Sequence, residues 1–269
     1  MPDSAVDSAG GAPWDAAPGE AGGTVPTGEV YAHSDTVLYK LEPISKAVSI
    51  IGTFDCLDSA SAMWDIAIDK DGNMYGSLNE FSSARLVSIV KSTAHCETIA
   101  TASSLPNSMT FIPAGILDPA QEVLVGFDRT DYLRIDKATG QVQVIGNLNP
   151  NPTGDMWESS GDVVSIIGDK TYLTVKPWGA GATSDPDYIV EVDPTTGKVL
   201  KMIGETGFPR LWGLGYWGGV AYGFSDTGQL CEIDLGTGQG TGIPIPNMPS
   251  SLSFWGAGVT TAAPIEMPK

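Results

Sequence analysis

Five copies of one pattern, a short apolar strand, a turn and a second apolar strand, predict an all-β chain folded as a five-bladed β-propeller. The copies are residues 38–52 (LYKLEPISKAVSIIG), 86–101 (LVSIVKSTAHCETIAT), 133–146 (LRIDKATGQVQVIG), 189–204 (IVEVDPTTGKVLKMIG) and 230–245 (LCEIDLGTGQGTGIPI). Aligned on the residue that opens the turn, they place Glu42, Val90, Asp136, Asp193 and Asp234 in one column, at intervals of 48, 46, 57 and 41 residues. A four-stranded sheet of that length cannot bury both faces alone, so successive sheets must stack around an axis. The ends supply a further observation. Residues 29–33 (EVYAH) begin in mid-blade and residues 251–261 (SLSFWGAGVTT) form an unpaired strand-like segment. If the last segment lies beside the first, the ring closes by hydrogen bonds between the two ends of the chain and loses the exposed edges that invite aggregation.

Each repeated hairpin is read as strands C and D of a blade, and a second hairpin between the copies as strands A and B. The clearest is residues 64–76 (WDIAIDKDGNMYG), where alternating apolar residues run into Asp-Gly-Asn, a turn chemistry that tolerates positive φ. Residues 162–175 (DVVSIIGDKTYLTV) keep the ten-residue distance from an opening Asp to an aromatic, Asp162 to Tyr172, that links Asp65 to Tyr75. Residues 109–127 and 212–224 fill the same role. Six blades is the alternative, should residues 147–161 contain strands. The turns within each hairpin are mostly tight, whereas the D-to-A crossings and B-to-C loops are longer. In propellers those longer loops share the face at the channel mouth, where ligands sit.

Composition narrows the function. The chain has 269 residues, 42% of them hydrophobic, enough to bury a substantial single-domain core. No apolar run reaches the length of a membrane-spanning helix. Lys and Arg number 14 against 32 Asp and Glu, a net charge of −18, which repels phosphate backbones and anionic lipid. Nucleic acid is therefore excluded as a partner, and glycans or proteins remain. Residues 1–28 are rich in Gly, Ala and Pro, carry four acids and no base, and are expected to be an acidic, disordered tether, followed by a propeller over residues 29–261 and a tail over 262–269.

Tryptophan placement gives the best candidate for a binding surface. Trp64, Trp157, Trp212 and Trp255 fall in or beside D-to-A crossings, and Trp178 lies in the longest B-to-C loop. A solvent-facing indole offers a flat apolar plate on which a sugar ring packs, with neighbouring amides and carboxylates for its hydroxyls. The ligand-binding set is thus Trp64, Asn107, Trp157, Glu158, Trp178, Arg210 and Trp212, with Asp185 and Asp187 nearby. A buried, interblade role is the competing reading for each indole. Asp65 and Asp162 open equivalent A strands and, with Glu158, are the candidate catalytic carboxylates of a glycosidase or lyase, since carboxylates crowded around a channel push their pKa values apart. The aligned residues elsewhere are Ser108, Gly213 and Ser251, so only two of five positions are acidic.

Other chemistry finds less purchase. His33 and His95 lack paired ligand spacing, and Asp69-Lys70-Asp71-Gly72-Asn73 reads as a hairpin turn rather than a calcium loop. No cofactor is expected, with Ca²⁺ at an acidic mouth as the alternative. Cys96 and Cys231 align with inward-facing apolar columns. Cys56 follows the first copy within reach of the second, so a Cys56–Cys96 disulfide is the expected pairing in an oxidising compartment, leaving Cys231 free. Three pairings, or none, are open from the sequence.

The segments DIAIDKDGNMYG and YIVEVDPTTGKVLKMIG resemble the repeats of bacterial secreted propellers broadly related to the NHL and gluconolactonase-like groups, over residues 29–261. The resemblance implies A–B and C–D hairpins respectively. The metal-holding acids and Asn of such lactonases have no counterparts here, so their catalytic residues are not carried over. Residues 1–28 resemble the spacer that follows the lipid-anchored cysteine of bacterial envelope lipoproteins, which implies an export signal and lipid anchor upstream and a secreted, periplasmic or outer-membrane location. The combined expectation is a monomeric, non-enzymatic module of the bacterial envelope or exterior that recognises a glycan or protein at the channel mouth. A channel-carboxylate enzyme and a structural scaffold subunit are the alternatives.

Overall fold

The computed structural model describes residues 29–150, 152–246, 249 and 251–267, and the expected tether at residues 1–28 lies outside them. Twenty strands form five four-stranded antiparallel sheets. Blade 1 contains β1 (Val30–His33), β2 (Val37–Glu42) and β3 (Ala47–Thr53). Blade 2 is β4 (Ala62–Ile68), β5 (Met74–Asn79), β6 (Ala84–Val90) and β7 (His95–Ala102). Blade 3 is β8 (Met109–Ile112), β9 (Val123–Asp128), β10 (Asp131–Ile135) and β11 (Val142–Asn147). Blade 4 is β12 (Trp157–Ser165), β13 (Thr171–Pro177), β14 (Tyr188–Val192) and β15 (Val199–Glu205). Blade 5 is β16 (Leu211–Trp217), β17 (Val220–Ser225), β18 (Leu230–Ile233) and β19 (Gly240–Ile243). The final strand, β20 (Gly256–Val259), returns to blade 1 as its innermost strand, pairing Val259 with Val30 and Gly256 with His33. The ring is closed by the two ends of the chain and has five blades. The described residues of 147–161 add no sixth: they hold the end of β11, a crossing, and an early start to β12.

The repeated turn explains its own sequence. The side chains of Asp136, Asp193 and Asp234 accept hydrogen bonds from backbone N–H groups two and three residues on, as at Ala138 and Thr139, both 2.9 Å from Asp136. The turn ends on a left-handed glycine, Gly140, Gly197 or Gly238. Lys46 and Ala94 take that conformation in the first two blades, where the motif is weaker. The glycine closing the copies has another cause. In blades 1, 3 and 4 a bulge sets Gly52, Gly146 and Gly204 against the C–D turn of the next blade. A Cβ on Gly146 or Gly204 would stand 2.0 Å from the carbonyl oxygen of Thr196 or Thr237. The glycine therefore records how closely one blade seats its neighbour.

Apolar residues of adjoining sheets pack between blades, for example Tyr39, Phe254 and Phe224 between blades 1 and 5. Beyond β20 the chain crosses the face carrying the A–B turns. Thr260 Oγ1 donates to the Asp69 carbonyl at 2.8 Å, Ile167 N to Thr261, and Gly218 N to Pro264, which ties blades 2, 4 and 5 at that end. Cys56, in the crossing out of blade 1, is disulfide-bonded to Cys96 of β7, and Cys231 is free and buried. Because the link spans 40 residues, it removes unfolded-chain entropy worth roughly 3–4 kcal/mol. The Cys56→Ser/Cys96→Ser double variant is expected to lose about that much unfolding free energy in urea titration, with the β-sheet circular dichroism of the folded state unchanged.

Candidate functional site: an indole cup over a buried carboxyl pair

Five innermost strands, β4, β8, β12, β16 and β20, converge on the axis. Residues just before or within their mouth-side portions form two successive tiers. The lower tier is Asp65, Ser108, Asp162, Gly213 and Gly256, so the position expected at Ser251 is occupied by Gly256. The upper tier is the residue before each: Trp64, Asn107, Gly161, Trp212 and Trp255. Strand alternation alone would send Trp64 and Trp212 into the sheet faces. Each instead sits in a bulge, between Met63 and Asp65 in β4 and between Leu211 and Gly213 in β16, and a bulge re-aims a side chain. One side chain or backbone from every blade therefore lines a cavity of about 250 Å³ at the mouth. Trp212 and Trp255 meet edge-on, 6.0 Å apart and 88° between planes.

The lower tier is closed to solvent. Asp65 and Asp162 are both fully buried. Asp65 Oδ2 accepts from the backbone N–H of Met109 in β8. Asp162 Oδ2 accepts from Leu214 of β16 at 3.0 Å and Ala257 of β20 at 3.3 Å, while its Oδ1 accepts from Val163 at 2.7 Å. The pair thereby joins all five blades at the axis. Burial and the charge of Asp162 beside it push the Asp65 carboxyl well above the usual carboxylate range. Asp162 is also raised by burial, against three N–H donors that favour its charge. We assign the proton to Asp65 and the charge to Asp162. No lysine or arginine is paired with either carboxyl among the described residues, and the one basic neighbour is His33, 3.9 Å from Asp65. His33 donates Nδ1–H to the Ser34 carbonyl, leaving Nε2 as a lone pair, and burial lowers its pKa to about 4. It is neutral. The carboxylates expected to act on a glycosidic bond are instead locked in backbone hydrogen bonds beneath the cup.

The cup is walled by indoles on blades 1, 2 and 5 and opens over blades 3 and 4. A Cβ at Gly161 would lie 1.9 Å from the Leu211 carbonyl oxygen, so no side chain can close it there. The opening continues into a larger cavity of about 670 Å³, which shares Trp64, Asn107 and Trp212 and adds Asp128, Arg129, Glu158 and Lys176. Arg129, in the short turn between β9 and β10, pairs with Glu158 at 3.1 Å and lies 4.6 Å from the ring centre of Trp178. Glu158 also accepts from Gly179 at 3.2 Å.

Of the residues expected from sequence, Trp64, Asn107 and Trp212 meet in the cup and Glu158 lines the larger cavity. Trp178, 48% exposed, stands at its rim through Arg129. Trp157 is a correction. It belongs to β12, is 9% exposed, packs against Tyr188, and has both backbone groups bonded by the Asn149 side chain, which substitutes for a strand partner. Arg210 lines neither cavity and is ion-paired with Asp226 at 3.0 Å. Asp187 is buried and accepts from Leu211 N at 2.7 Å, with burial raising its pKa to about 6. Arg129 and Lys176 were not singled out, because a cation in a two-residue turn or on the second strand of a hairpin carries no sequence mark. Among the described residues no cluster of three or more His, Cys, Asp or Glu converges on a metal-sized site, and no helix is long and apolar enough to cross a membrane.

No protein-family model matches the chain, and no curated protein matches it. Similar solved structures include a protein of unknown function from Bacteroides caccae, 11% identical, covering 87% of this chain and 98% of that one at a TM-score of 0.44. A putative 6-phosphogluconolactonase from Bacteroides fragilis is 10% identical, with 88% and 99% covered and a TM-score of 0.42. Regucalcin, a calcium-binding protein from Agrobacterium tumefaciens, is 13% identical, with 73% of this chain and 64% of that chain covered and a TM-score of 0.44. No activity is transferred from these likenesses. The propeller architecture rests on this chain's own five sheets.

The axial assignment has a direct test. A carboxyl whose pKa is raised by folding stabilises the native state below its unfolded value, near 4, and loses that contribution as pH rises toward the folded value. Asp65→Asn keeps the proton-bearing shape without that loss. Its stability in urea is therefore expected to gain on the parent as pH goes from 4 to 7, whereas Asp162→Ala, which strips three buried N–H groups of their acceptor, is expected to lose several kcal/mol at both, at roughly 1–3 kcal/mol per group.

Proposed function

We propose that the chain is a non-enzymatic recognition module that seats an end group, carried by a glycan or protein partner, in the indole cup. The observation that carries this reading is the convergence of Trp64, Trp212 and Trp255 from three blades on one small open cavity, two of them turned there by bulges. Indoles fixed on strands supply apolar contact area at little entropic cost. Two further aromatics support partner contact on the same face. Phe81, in the B–C turn of blade 2, is fully exposed, and Trp178 projects from the B–C loop of blade 4. The burial of Asp65 and Asp162 favours binding over hydrolysis, since a scissile bond would have to enter below the indoles to reach them.

The Cys56–Cys96 disulfide supports an oxidising compartment, and with it a place in the bacterial envelope or exterior, anchored by lipid or released. The module acts as a monomer in this reading, since the chain closes its own ring. Glycan arrays and envelope extracts probed with the parent and with Trp212→Ala provide the test. Binding weakened at least tenfold in the variant is the expected result, and ligands that bind both proteins equally would remove the cup from the reading.

A further inference from the structure

The cup's lining identifies the chemistry of the group it takes. A pyranose stacked on an indole leaves several hydroxyls that need hydrogen-bond partners, and beside the indole N–H donors the cup proper offers one side-chain acceptor, the amide of Asn107. Its remaining walls are three indoles and the backbone of Gly161, and the two indoles whose geometry is defined stand perpendicular, as adjoining sides of a box rather than as one stacking plate. The floor is equally informative. Asp65 and Asp162 directly follow Trp64 and Gly161, so a buried carboxyl pair lies one residue beneath the lining. Asp65 Oδ1 and the facing His33 Nε2 are fully buried and have no hydrogen-bond partner. No lysine or arginine offsets the pair among the described residues, and the whole chain carries −18. Indole faces and a negative floor both favour positive charge, and methyl groups suit an apolar wall that has almost no acceptors.

We propose that the indole cup of Trp64, Trp212 and Trp255 is an aromatic cage for a methylated ammonium group, such as the trimethylammonium of choline. This deepens the recognition reading above and rests on it. The cation sits among the indole faces over the buried carboxyl pair, and the remainder of the ligand leaves past Asn107, which lines both cavities, into the larger one. Arg129 and Lys176 line that cavity, so a ligand carrying an anionic group next to the ammonium meets basic side chains on its way out.

The test uses choline and tetramethylammonium against 3,3-dimethylbutan-1-ol, the uncharged isostere of choline, and methyl glycosides, followed by tryptophan fluorescence and calorimetry. Both cations are expected to bind roughly tenfold or more tightly than the isostere, the margin a desolvated cation–π site supplies, and to weaken as salt rises while the isostere does not. Trp212→Ala and Trp255→Ala should abolish cation binding, and Trp212→Phe should keep part of it with an unchanged thermal transition. Equal binding of cation and isostere would overturn the proposal, leaving a merely apolar pocket. Glycoside binding that depends on Trp212, without cation binding, would overturn it and leave the recognition reading standing. No Trp212-dependent binding of any probe or extract would count against both.

Discussion

One pair of buried carboxyls holds the centre of this ring. Five strands approach the axis, and their inner edges are bridged there by side chains rather than by sheet hydrogen bonds. Asp65 reaches from blade 2 to blade 3, and Asp162 from blade 4 to blades 5 and 1. Two charges buried side by side would cost more than these bonds return, so the arrangement depends on one carboxyl being neutral. With the proton on Asp65, the charged partner is the one that accepts three backbone N–H groups. The glycines of the lower tier have two causes: a Cβ on Gly256 would come within 2.5 Å of Asp65 Oδ1 and 2.4 Å of His33 Nε2, whereas a Cβ on Gly213 would meet the Gly256 backbone at 2.7 Å.

The same constraint shapes the mouth. At each strand start the chain must put a small or acidic residue into the axis and the preceding residue above it, which regular alternation does not deliver without a local irregularity. The bulges in β4 and β16 supply it and turn Trp64 and Trp212 upward. Blade 4 solves the problem differently. Its irregularity spans Ser159 to Val163, and Gly161 lies so close to Leu211 that no side chain fits. The asymmetry of the cup, closed on three sides and open over blades 3 and 4, is a consequence of that packing.

Much of the architecture was legible because propeller repeats write their turns in residues with strict backbone demands. The Asp that opens three of the five C–D turns has a local cause, the glycine that closes three of the copies has an interblade one, and both recur at intervals of one blade. End-to-end closure was legible because an incomplete first blade and a surplus last strand complement each other. The indole cup was partly legible, since Trp64, Trp212 and Trp255 all fall in or beside D-to-A crossings in the sequence. Two features were hidden. The side on which an acid faces is set by tertiary contacts, so the equivalence of Asp65 and Asp162 revealed a shared place but not whether that place met solvent. Trp157 looked like loop because the strand continuing through it pairs with an asparagine side chain, which leaves no periodic signal. Small residues at the other three axial positions weakened the case for catalysis; structurally, Gly256 leaves room for Asp65 and Gly213 for the β20 backbone.

Rigidity is distributed unevenly across this face, and that bears on how selection could operate. The three indoles stand at or beside strand starts braced by the axial bonds, so their geometry is set before any ligand arrives. The larger cavity is lined by Gly179, Gly181 and Ala182, the two glycines at positive φ, and by Arg129 and Glu158, with Trp178 packed on Arg129. Arg129 is 62% exposed, whereas the Glu158 that fixes it is nearly buried, so a ligand can meet the guanidinium without breaking its anchor. In the proposed recognition role, a preformed apolar cup would cost little to order and would decide affinity for the seated group. Discrimination among the structures that carry such a group would fall to the loop side, where polar contacts are made one at a time and changing one need not disturb the axis.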